Sequence, residues 1–303
     1  GTNPSAVAIN PVTNKIYVAN QGSNNVTVID GATNALTTLA AGSNPRAVAI
    51  NPVTNKIYVV NQGSDNVTVI DGAANALSTL ALAAGSNPFA VAINPVTNKI
   101  YVANIGGGNI TVIDGATNAI TTLTVGTQPR AVAINPVTNK IYVANQGSDT
   151  VTVIDGATNA LTTLTLVPGS NPNAVAINPV TNKIYVAASG SGNVTVIDGA
   201  TNALTTLANG TDPFAVAVNP VTNKIYVVNQ FGGNVTVIDG ATNAITTLTA
   251  GSFPRAVAIN PVTNKIYVTN RFSNNITVID GATNALTTLA LGTGPFAVAI
   301  NPV

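Results

Sequence analysis

The sequence predicts an all-β chain in which seven four-stranded antiparallel sheets pack side by side as blades around an axis. Three observations carry this prediction. A segment of 41 or 43 residues occurs seven times in the 303-residue chain and begins an eighth time. Every copy holds four short runs with a period near two, and turn residues separate the runs. A fixed period of this size means stacked supersecondary repeats rather than one conventional domain.

Tyrosine keeps the register, once per repeat, at Tyr17, Tyr58, Tyr101, Tyr142, Tyr185, Tyr226 and Tyr267. In the first repeat strand A is Ala6–Asn10 (AVAIN), strand B Lys15–Asn20 (KIYVAN), strand C Asn25–Asp30 (NVTVID) and strand D Ala35–Ala40 (ALTTLA). Val, Ile, Thr and Tyr suit a pleated, half-buried surface. The linkers Pro-Val-Thr-Asn, Gln-Gly-Ser-Asn and Gly-Ala-Thr-Asn supply a fixed φ, left-handed φ and side chains that fold back on the backbone. No run has the apolar spacing of a helix. In strand A, Val7 and Ile9 point one way and Ala6 and Ala8 the other. A sheet with one bulky and one small apolar face must lie between two others, and blades around an axis satisfy this. The blades expected are 4–44, 45–87, 88–128, 129–171, 172–212, 213–253 and 254–294, forming one domain over 1–303, with a supernumerary inner strand over 295–303.

KIYVAN followed by NVTVIDGATN resembles the YVTN-type β-propeller repeat of archaeal surface-layer and secreted bacterial proteins, across essentially the whole chain. The resemblance implies a seven-bladed β-propeller with strand A lining the axis. It also implies an extracellular or cell-surface location. No single activity follows from it.

Composition narrows the chemistry. There is no Cys, His, Met, Trp or Glu, only 7% of residues are charged, and the net charge is +1. Without His or Cys, Ser–His and Cys–His nucleophile pairs and His/Cys metal sites are excluded. An all-oxygen calcium site needs more clustered carboxylates than one Asp per strand end. The expectation is a chain that is no enzyme and needs no cofactor or metal. No apolar run is long enough to insert in a membrane, and no signal peptide is present in the chain as given. Some relatives by this resemblance bind DNA, but four arginines make a slim footprint, so nucleic acid is disfavoured.

The repeats differ in one place. The A–B turn reads NPVTNK throughout, and the C–D turn reads DGATNA except for DGAANA at Asp71–Ala76. The B–C and D–A loops, at the other end of the blades, vary. Seven lysines start the B strands and seven aspartates end the C strands, so each Lys is expected to meet an Asp in a surface ion pair of roughly 0–1 kcal/mol. All arginines and phenylalanines fall in the variable loops. The candidate binding residues are Arg46, Phe89, Arg130, Asn173, Phe214 and Arg255 at the axial mouth, with Phe231, Arg271 and Phe272 in the B–C loops. Guanidinium groups beside exposed aromatics can hold a protein, a peptide or a glycan. Binding predicts that Arg46, Arg130 and Arg255 converge on an open pocket. The extra strand is expected to drive self-association through its unpaired edge. The alternative is an engineered or recently amplified symmetric scaffold with no specific ligand; a propeller enzyme or DNA-binding propeller is a weaker one.

Overall fold

The computed structural model describes residues 1–301. It contains seven four-stranded antiparallel sheets, each with strands in the order A-B-C-D, and one short 3-10 turn at Gln146–Ser148. This is the architecture of a seven-bladed β-propeller. In the first blade the strands are Pro4–Asn10, Lys15–Asn20, Asn25–Asp30 and Leu36–Ala40. Strand A therefore starts two residues earlier than its apolar pattern suggests. Pro4 enters the ladder opposite Asn20, and the register shifts between Pro4 and Ala6.

Two compact units are distinguished. One holds Gly1–Ser148 and Thr152–Thr162, the other Asp149–Val151 and, among the described residues, 163–301. Within each unit the A strands of successive blades lie side by side, whereas the D strands are largely exposed.

The packing is bulky side against small side. Tyr17, Ala19, Val26 and Val28 of the first blade meet Ile57, Val59 and Ile70 of the second, with Ala6 of the first and Val48 and Ile50 of the second alongside. The second unit repeats this with Tyr185, Ala187, Val194 and Val196 against Ile225, Val227 and Ile238. Because every strand alternates, neither face of a blade could remain in water, and the neighbour's face removes that cost.

Polar ties join the same neighbours. Asn51 closes strand A of the second blade, is fully buried, and donates from Nδ2 to Asn98 Oδ1 of the third blade at 2.7 Å. Asn10–Asn55, Asn94–Asn139, Asn178–Asn223 and Asn219–Asn264 do the same, each at 2.7 Å. The acceptor asparagines have left-handed backbones, for example Asn98 at φ 52°. Asn tolerates this conformation better than other residues with a Cβ, which explains NPVTNK at every A–B turn.

The segment Pro295–Asn301 reads PFAVAIN, as does the strand Pro88–Asn94, yet it forms no strand. A strand needs a ladder, and this segment joins none of the seven sheets among the described residues. Pro4–Asn10 occupies the A position of the first blade. The supernumerary strand expected over 295–303 is thus absent among the described residues, and its last two positions lie outside them.

Candidate functional site

In every blade the A–B and C–D turns share one end and the B–C and D–A loops the other. Gly31 N donates to Asn14 O at the first end, and Gln21 N to Asn3 O at the second.

The lysine–aspartate pairing at the uniform end needs correction. Lys15 and Asp30 are partners in register. The Asp30 carboxylate, however, turns into its own turn. Its Oδ1 accepts from Ala32 N at 3.0 Å, Thr33 N at 2.8 Å and Thr33 Oγ1 at 2.9 Å. Hydrogen bonds from the Thr33 backbone and hydroxyl hold its pKa below the ordinary value, with the Lys15 charge the smallest contribution. Lys15 Nζ instead donates to Gly72 O of the next blade at 3.2 Å. Lys56, Lys99, Lys183 and Lys224 reach Gly115, Gly156, Gly240 and Gly281 in the same way. The ammonium thus reaches across to a buried glycine's carbonyl in the neighbour's C–D turn, while Oδ1 of the in-register aspartate serves its own turn.

At the variable end, two of the three aspartates are structural. Asp65 accepts from Gly85 N at 2.8 Å and Asn87 N at 2.7 Å, pinning the D–A loop that follows its blade. Asp149 pins Gly169 N and Asn171 N, both at 2.7 Å. These loops are the two that carry a two-residue insertion. The signal was in the sequence: only Gln62-Gly-Ser-Asp65 and Gln146-Gly-Ser-Asp149 end in Asp, and each precedes an insertion.

In the first unit, Arg46 and Arg130 both stack on Phe89. Their guanidinium carbons lie 4.5 Å and 5.1 Å from its ring centroid. Arg130 also donates to Gln146 Oε1 at 2.9 Å. Burial pulls the Arg46 pKa below its ordinary value. Each such stack contributes roughly 0.5–2 kcal/mol.

In the second unit, Arg255 lies between two rings, 4.6 Å from Phe214 and 4.1 Å from Phe296. Phe296 thus anchors the segment that lacks a ladder. With the Gln230 amide turned, its nitrogen donates to Asp212 Oδ2 at 3.1 Å and its oxygen accepts from Arg255 at 3.0 Å. Asn173 is buried and donates to Phe214 O at 3.3 Å, so it ties adjacent A strands rather than facing solvent. Arg46 and Arg130 therefore meet on one ring, while Arg255 has rings of its own.

Beside this cluster stands an aromatic group. Phe231 meets Phe253 edge to face at 5.6 Å, and Phe253 stacks on Phe272 at 4.3 Å. Arg271 is exposed, 5.9 Å from the Phe272 and Phe296 rings. Phe253 was not among the expected site residues. Its signal was faint: a large apolar residue where the other D–A loops have Asn, Gln, Asp or Gly.

Several solved structures share this architecture. Virginiamycin B lyase from Staphylococcus aureus aligns with a TM-score of 0.73 at 12% identity, covering 89% of this chain and 92% of that one. Hydrazine synthase of Kuenenia stuttgartiensis gives 0.73 at 24% identity, covering 92% and 96%. The dihydro-heme d1 dehydrogenase NirN in complex with DHE gives 0.80 at 15% identity, covering 97% and 67%. At these identities the likeness concerns the fold alone. It still overturns the expectation that the chain is no enzyme, because a lyase and a dehydrogenase are built on the same architecture. Blades supply a frame, and chemistry comes from the side chains mounted on it, so neither symmetry nor fold excludes catalysis. No curated protein matches the sequence. The family model that does match covers residues 2–300, and the chain belongs to the YNCE-like β-propeller family.

Proposed function

We propose that the end of the blades formed by the B–C and D–A loops is a binding surface for an anionic ligand or partner. One observation carries this reading. Copies that are otherwise nearly identical place every Arg and every Phe at this end, where they gather into stacks such as Arg46–Phe89–Arg130. A guanidinium is a planar fork of donors suited to a carboxylate or phosphate, and a neighbouring ring face limits its freedom to turn away. The repeat signature KIYVAN…NVTVIDGATN supports a place among YVTN-type propellers and, with them, at the cell surface.

A scaffold without a specific ligand is the second reading. It is favoured by Arg130 and Arg255, which also engage Gln146 and Gln230. Capture of acidic peptides and glycans on an array separates the two. Binding expects capture by the intact chain and its loss in Arg46→Gln/Arg130→Gln, with an unchanged circular dichroism spectrum. No capture of any acidic probe would favour the scaffold.

A further inference from the structure

The four arginines at the variable end are not alike. Arg46 is desolvated, and Arg130 and Arg255 engage glutamines. Arg271 is exposed, and no carboxylate pairs with it among the described residues. Its neighbour Phe272 is 63% exposed and Phe231 is 70% exposed. The two rings flank Phe253 and with it form an exposed aromatic patch.

Phe253 completes the patch at a conformational cost. Its φ is 57°, in the left-handed region where a bulky residue is an outlier. The equivalent position elsewhere has Asn3, Asn44, Asn87, Gln128, Asn171, Asp212 or Gly294. What holds Phe253 there is the ring column: Phe231 at its edge and Phe272 on its face. Strain kept in a loop to build an exposed surface marks a functional position.

We propose that Arg271, Phe272, Phe253 and Phe231 form a subsite for an acidic pyranose, a sugar ring bearing a carboxylate. This deepens the binding reading above and rests on it. The exposed face of Phe272 offers a flat apolar surface to the C–H face of the sugar. The Arg271 guanidinium is a bidentate partner for its carboxylate. Asn274, exposed and with its amide nitrogen uncommitted among the described residues, can donate to a ring hydroxyl. A peptide is served less well. The B–C loop's backbone donors are spent on the preceding D–A loop, Arg271 N on Phe253 O at 3.0 Å and Phe272 N on Ser252 O at 3.1 Å.

The test is direct titration with galacturonic-acid oligomers, with neutral glucose oligomers as control. The variant is Arg271→Gln/Phe272→Gly. It rewrites the loop as Gln-Gly-Ser-Asn, which the first blade already carries at Gln21–Asn24. The intact chain should bind the acidic oligomers, more weakly as salt rises. The variant should lose about tenfold or more in affinity, and Arg271→Lys should lose part of that. Equal binding of neutral oligomers, or acidic binding unchanged in the variant, would overturn the subsite. Acidic binding abolished only by Arg46→Gln/Arg130→Gln would overturn it while leaving the wider surface standing. No binding of any acidic probe would overturn both.

Discussion

Asn51→Ala tests how blades are held to one another. Asn51 is fully buried, donates to Asn98 Oδ1 at 2.7 Å, and accepts from Val53 N at 3.0 Å. Losing two neutral hydrogen bonds costs about 2 kcal/mol, and orphaning a part-buried amide oxygen adds up to about 1 kcal/mol. A total of about 2–3 kcal/mol corresponds to roughly 5 °C in melting temperature for a chain of this size. The partner change should be Asn98→Gly, because Asn98 has φ 52° and alanine there would add backbone strain to the lost bond. Urea unfolding of wild type, both single variants and the double variant then isolates the pair. A coupling energy of about 1 kcal/mol is expected. If the coupling is indistinguishable from zero, or Asn51→Ala costs less than about 0.5 kcal/mol, the asparagines fill space and do not tie the blades.

Four further outcomes follow from the same geometry. The seven C-strand aspartates have pKa values lowered chiefly by backbone hydrogen bonds from their turns, as at Asp30 and Asp71. The stability they contribute is complete above the unfolded value near 3.8 and is lost as pH falls through the lower folded value; Asp30→Asn, which keeps the acceptor oxygen, should flatten that decline in urea midpoints. Burial pushes Tyr58, Tyr101, Tyr185 and Tyr226 up to about 12, so stability should hold below pH 10 and fall as pH rises through 12. Tyr58→Phe removes a buried hydroxyl that has no partner, so its melting temperature at pH 7 should be unchanged or higher. Gly115→Ala should destabilise by about 1–3 kcal/mol, since a Cβ there would lie 2.7 Å from the Asn98 carbonyl oxygen.

How far the sequence can be read depends on the range of the interactions involved. Strands, turns and the two ends of each blade follow from local rules: alternation in KIYVAN, left-handed asparagines in NPVTNK, and the aspartate that caps DGATN. The destination of Lys15 is not local, because Gly72 belongs to the next blade. Its neighbour in register, Asp30, was the wrong partner once the turn's own donors had claimed it. Asp65 and Asp149 are readable in principle, since each precedes an insertion, but the loop donors they accept from lie some twenty residues on. Phe253 was hidden because apolar residues in loops are common and φ leaves no mark in a sequence. Pro295–Asn301 shows the converse: the residues that make a strand at Pro88–Asn94 form none here, so alternation alone does not create a ladder.

The pairing of B and C strands is nearly the same from blade to blade, with exceptions such as Ala188 opposite Asn193. Lys15 opposite Asp30, Tyr17 opposite Val28, and Asn20 opposite Asn25 recur as Lys99–Asp114, Tyr101–Val112 and Asn104–Asn109. During folding, a hairpin half therefore meets several equally good mates, and energy alone cannot tell the right one from the copy a blade away. Proximity along the chain has to make the choice, so refolding should slow and branch into mispaired traps as the polypeptide is concentrated or its loops are lengthened. The irregular loops pinned by Asp65 and Asp149 then act as address labels in an otherwise uniform text.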